Sequence, residues 1–223
     1  MNPFYTQLPK MTQWLIGLLL FGVAMVVASF WGVYSFETPW FYLGIFILAP
    51  IFQFASTPFF TLTGSFKYLS PMLLVFSASQ EKYDLHLGTS FDYLLVMRGV
   101  PPGPQFRRQI LIYLLDVLLG VIDMVETGEI PGRVEVRGCS YFFTESTAKR
   151  LGFTTKTISW PERLNILING IDLTWQYSLA QGRLTFPALW KAQTATTSGA
   201  QLVEQKESLT NLLAYLKKGR TAA

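Results

Sequence analysis

The sequence predicts an N-terminal two-helix transmembrane hairpin followed by a cytoplasmic α/β domain with extra C-terminal helices. Three observations carry that prediction. Residues 11–36 and 38–66 contain no charged side chain, and about 20 apolar helical residues suffice to cross a hydrocarbon core of ~30 Å. Only a turn around Glu37 and Pro39 separates the two runs, which leaves room for nothing but an antiparallel return. Beyond residue 66, short β-type runs alternate with helical periodicity, the pattern of an α/β sheet domain. The expected division is a membrane anchor over residues 1–66, with spans at about 13–35 and 39–60, and a sheet domain over residues 67–223.

Within the anchor, Trp14, Trp31, Tyr34 and Trp40 fall near the predicted span ends, where amphipathic rings favour the membrane interface. Lys10 and Lys67 flank the pair, while the connecting turn holds only Glu37. The positive-inside rule then places both termini in the cytoplasm, as in a bacterial inner-membrane protein. The first run is longer than a signal-peptide core and a second span follows at once, so it reads as a retained anchor. Pro50 removes a backbone donor inside the second span and predicts a kink. Gln53 reads as an amide bonding to the neighbouring helix.

Composition narrows the function classes. All but Lys10 of the 18 Lys and Arg, and all but Glu37 of the 14 acids, follow residue 66. The signs are interspersed there, without the basic stripe that nucleic acid requires, so no nucleic-acid partner is expected. One cysteine, Cys139, and one histidine, His86, give neither a disulfide framework nor a Cys/His metal site. Two spans without an intramembrane charge argue against transport.

In chain order, residues 71–77 (PMLLVFS) suit a buried strand. Residues 83–97 leave two readings open: Leu94 to Met97 as a strand, or a short helix capped by Thr89 or Ser90. Residues 98–104 (RGVPPGP) form a loop, because three Pro and two Gly forbid regular structure. Residues 105–126 are helical, with Gln109, Asp116 and Asp123 as a narrow polar stripe on an otherwise apolar girth. Val134 and Val136 alternate with Arg133, Glu135 and Arg137, which marks a strand over residues 133–143. Thr144 can cap a two-turn helix closed by Gly152, with a return strand at residues 153–159. Ser159-Trp160-Pro161-Glu162 has the form of a capping box, opening a helix expected to run to Gln181. Residues 185–197 read as a loop, and a last amphipathic helix shows Leu202, Leu209, Leu213 and Leu216 on one face, ending at Lys217 and Lys218.

The segments FDYLLVM, QFRRQILIYLLDVLLGVIDMVE, RVEVRGCSYFF, TESTAKRLGF and TTKTISW follow one another over residues 92–159. In that order, and with the phrase TAKRLGF, they resemble the C-terminal half of GNAT-superfamily N-acetyltransferases. There a strand feeds a long helix, then come a strand, a short helix and a return strand. The resemblance implies acetyl-CoA as cofactor, held on backbone amides at the start of the long helix, where unpaired N–H groups favour an anion. RGVPPGPQFRR occupies that position here without the family's Arg/Gln-x-x-Gly-x-Gly/Ala pattern.

The candidate ligand site is therefore this loop and the helix behind it: Arg98, Gly99, Gly103, Arg107 and Arg108, a place for a small anionic ligand. Two Arg at a helix N-terminus oppose the dipole, which an anion seated there would relieve. Weaker catalytic candidates are Cys139, read either as a nucleophile or as a small buried hydrophobe, and Asp84 with His86, which share one face of a strand and can orient a general base. No metal is implied. The function expected is that of a membrane-anchored module binding a ligand, a protein partner or a second copy of itself; the alternative is a membrane-tethered acyltransferase of degenerate GNAT type. A concave pocket where Met97 meets Gln105 would favour the enzyme, and an exposed apolar patch on the last helix or beside the anchor would favour the binding module.

Overall fold

The computed structural model describes residues 2–76, 78–140 and 145–218. A short helix α1 (Pro3–Gln7), capped by the Asn2 side chain, leads into α2 (Lys10–Glu37). The chain turns through a 3-10 segment, Pro39–Gly44, into α3 (Ile45–Leu62), which contains both Pro50 and Pro58. The second span therefore begins as 3-10 rather than α-helix. Both α2 and the stretch Pro39–Leu62 are long and apolar enough to cross a membrane. They pack antiparallel: the rings of Phe21 and Phe59 stack at 4.3 Å, and a Cβ on Gly17 would touch Leu62 and the Phe59 backbone.

Strands β1 (Phe66–Ser70), β2 (Leu73–Phe76) and β3 (Lys82–Leu87) form an antiparallel meander directly after α3. The first was not expected from the sequence, because Lys67 and Ser70 break its apolar pattern. Next comes α4 (Ser90–Val96), so FDYLLVM is helix, not the strand feeding the long helix. The Thr89 amide donates to the Asp92 carboxylate at 2.9 Å in a capping box, and this local closure outweighs the β tendency of Tyr93 to Val96. KYDLHL is the strand instead.

The long helix α5 (Pro104–Glu126) crosses to β4 (Glu135–Ser140), which pairs parallel with β3, Asp84 opposite Arg137. Then follow α6 (Glu145–Arg150) and β5 (Thr154–Thr157). The helix expected to reach Gln181 breaks at Asn169 into α7 (Trp160–Ile168) and α8 (Gly170–Gln181). The stretch read as a loop contains a 3-10 turn, Leu189–Lys191, and β6 (Gln193–Ser198). QTATTS lacks any large apolar residue, yet it sits between β4 and β5 and is antiparallel to both. Helices α9 (Gly199–Glu204) and α10 (Lys206–Lys218) divide the expected last helix at Gln205. Residues 141–144, including Thr144 as a cap, the side chain of Cys139, and Gly219 lie outside the described residues.

The sheet order is β1-β2-β3-β4-β6-β5. On one face α5 covers β1 and β2 and holds α9 and α10 beside it. The core there joins Leu73, Val75, Leu85 and Val136 to Leu115, Leu118, Ile122 and Leu209. The opposite face carries Phe66, Phe76, Asp84, His86 and Arg137. It receives α3 through the Phe60–Phe66 ring contact at 5.3 Å, and α7 through the Arg137–Glu162 ion pair at 2.8 Å.

Candidate functional site

The loop before α5 is built as the sequence suggests but does not leave its helix terminus open. Gly99 and Gly103 take φ of +84° and +98°, which only Gly adopts without strain. Gly103 caps α5 and Pro104 opens it. The Gly103 amide donates to the Leu179 carbonyl in the last turn of α8 at 2.8 Å, and Gly182, the left-handed end of α8, lies against Gly103. The negative end of α8 thus meets the positive end of α5, where an anion would otherwise sit. Arg98, Gly99 and Arg107 are exposed, and Gly103 is buried. Arg108 turns away and donates from Nε to the Leu216 carbonyl at 2.8 Å, near the C-terminus of α10. An Arg unfavourable for its own helix is favourable for the end of another.

On the sheet face toward α7, Asp84 and His86 come together as their spacing predicts, Oδ1 to Nε2 at 3.5 Å. Arg137, opposite Asp84 in the parallel pair, donates from Nε to Oδ2 at 3.0 Å and reaches Glu162 with its other arm. Partial burial works to raise the Asp84 pKa, but hydrogen bonds from His86 and Arg137 and their charges outweigh it and bring it to about 2. The His86 ring packs on Phe76 at 4.4 Å. A carboxylate held this low and already bonded to both His86 and Arg137 is a poor proton acceptor; the group fastens α7 to the sheet.

The structure adds two carboxylates that no sequence signal marked as a pair. Asp92 is fully buried and accepts from Asn2 Nδ2 at 2.8 Å, the Tyr68 hydroxyl at 2.6 Å and the Thr89 amide at 2.9 Å. The Thr89 hydroxyl is joined to that of Thr57 on α3 at 2.9 Å. Asp172 accepts from Gln176 at 2.7 Å and from the Ser90 hydroxyl. Burial raises both pKa values, only partly offset by the hydrogen bonds from Tyr68, Asn2 and Thr89 in one case and from Ser90 in the other. Thr89 is one of the two caps the sequence offers, and only the structure shows Asp92 closing onto it and joining α4 to α1 and β1. Among the described residues no three His, Cys, Asp or Glu side chains come together.

The surface of the described residues carries open hollows. One runs along the outer face of α2 at Leu18, Gly22 and Val26, and a polar one lies at Arg133, Thr154 and Thr196. An apolar face stands beside α3: Trp160, Leu164 and Leu167 on α7, Ile171 opening α8, and Trp190 next to α7 are all exposed. Both α7 and α8 pack against α3. No family model, curated protein or solved structure matches the chain.

Proposed function

We propose that this chain is a membrane-anchored binding module, its α/β domain held at the cytoplasmic leaflet of an inner membrane and working by contact rather than by catalysis. The observation that carries this reading is the exposed apolar face of α7, adjacent to α3. Contiguous exposed apolar surface on a folded domain marks an interaction site. Lys10 and the start of the sheet domain at β1 lie at one end of the helix pair, with Glu37 at the other, and the cationic end is the cytoplasmic one.

The second reading is the tethered acyltransferase of degenerate GNAT type. Its support is the path β3, α5, parallel β4, α6, β5, the order that the resemblance implies. The closed N-terminus of α5 weighs against it, because acetyl-CoA would have to displace the last turn of α8. Leu164→Cys and Leu167→Cys, each in a Cys139→Ser background, test the choice in native membranes. Both should resist a water-soluble maleimide until detergent is added, while Tyr215→Cys labels at once. Prompt labelling of all three would mean a bare face and no binding surface. Saturable binding of acetyl-CoA to the purified full chain would transfer the reading to the acyltransferase.

A further inference from the structure

The occupant of the α7 face follows from depth, pattern and charge. Depth comes from the helix pair. On α3, the residues Ala55, Ser56, Thr57 and Pro58 are buried, and α4 meets this stretch through Phe54–Phe91 ring contact at 5.6 Å and the Thr57–Thr89 bond. The same stretch stands level with Gly17 and Phe21 of α2. At that level the outer side of α2 presents Leu15, Leu18, Leu19 and Val23, apolar and exposed. A bilayer deep enough to cover them is, on the side of α3, at the depth of the domain helices packed there.

Pattern and charge agree. Trp160, Leu164 and Leu167 recur at i, i+4 and i+7, one face of α7, while Ile166 between them is buried against Ile158, Ala192, Leu173 and Leu189. Trp160 and Trp190 are 70% and 75% exposed at the margin of this face, and Trp is favoured where hydrocarbon gives way to headgroups. Of the exposed cations over residues 156–191, Arg163 stands on α7 itself and Lys191 follows Trp190. The acids of the same stretch are spent internally, Glu162 on Arg137 and Asp172 on Ser90 and Gln176. An apolar helix face with cations beside it is the form of a helix lying in an anionic membrane surface.

We infer that the apolar face of α7, with Trp190 beside it, is embedded in the acyl–headgroup boundary of an anionic leaflet, giving the domain a lipid contact of its own next to the two spans. This rests on the binding-module reading and names what its surface binds. The test uses the full chain reconstituted in vesicles of phosphatidylcholine and phosphatidylglycerol. Nitroxide labels sit on Leu164→Cys, Leu167→Cys and, as a second choice of site, Trp160→Cys, all with Cys139→Ser. Leu19→Cys reports the lipid-facing span and Tyr215→Cys reports water. The face labels should be broadened by oxygen and lose broadening by an aqueous nickel chelate, as at residue 19 and opposite to residue 215. Nickel broadening on α7 with residue 19 still in lipid overturns the inference and leaves the binding module standing, because the vesicles hold no protein partner and the labelling in native membranes decides that reading. Shielding from oxygen and nickel alike overturns the inference in favour of a protein contact, and leaves the binding module standing. Nickel broadening at residue 19 removes the anchor itself, and the inference with it.

Discussion

The Asn2 side chain donates to Asp92 at 2.8 Å, joining the second residue of the chain to one 90 positions away. The same Asn2 caps α1 by accepting from the Phe4 amide at 3.0 Å, so one side chain ties the start of α1 to α4. Asn2→Ala takes a donor from a buried carboxylate, a loss of about 1–3 kcal/mol. Unfolding of the full chain in micelles should show it; a change within about 0.5 kcal/mol, ordinary for surface substitutions, would mean the contact carries nothing.

Asp92 and Asp84 should give opposite pH dependences. Burial raises the Asp92 pKa, so the folded chain holds that proton more tightly than the unfolded chain. Between the ordinary Asp value near ~4 and the raised folded value, stability rises as pH falls. Asp92→Asn should lessen this rise, and Asp172, also raised, keeps part of it. Asp84, held at about 2 by His86 and Arg137, contributes stability above ~4 that is lost as pH falls toward 2. The melting-temperature difference between wild type and Asp84→Asn should therefore shrink over that interval. A constant difference would show that the ion pair does not act through the Asp84 charge.

Gly182→Ala should separate α8 from α5. The left-handed φ of +72° costs a β-carbon residue about 1–2 kcal/mol, and the added Cβ would stand 3.1 Å from the Gly103 Cα. Gly99→Ala has a φ of +84° but nothing within 4 Å of its Cβ, so it reports the backbone term alone. The excess loss of Gly182→Ala over Gly99→Ala measures the helix contact. Equal losses would mean that the junction yields.

Arg107 and Arg108 should part company. Arg108→Gln removes a cation from the Leu216 carbonyl and should cost about 0.5–1.5 kcal/mol. Arg107 is exposed, and Arg107→Gln should stay within about 0.5 kcal/mol. The sequence alone suggests that losing both would relieve the α5 dipole and stabilise the domain; the sign at Arg108 is now reversed. A stabilising Arg108→Gln would restore the dipole argument.

The local terms were legible in the sequence. Charge-free length marked the two helices, Ser159 and Glu162 marked a helix start, and the alternation around Val134 marked a strand. Each is settled by residues within a few positions of one another. What the sequence could not decide depended on partners far along the chain. QTATTS is a strand because β4 and β5 satisfy its backbone on both edges, although its own side chains carry no β pattern. Tyr93 to Val96 are helical because Asp92 closes a turn onto Thr89. The positive end of α5 is filled by α8, nearly 80 residues on, and Arg108 serves a helix more than 100 residues away. Hydrogen bonds and ion pairs are short-ranged in space but not in sequence, so their assignment waits on the packing that brings the partners together.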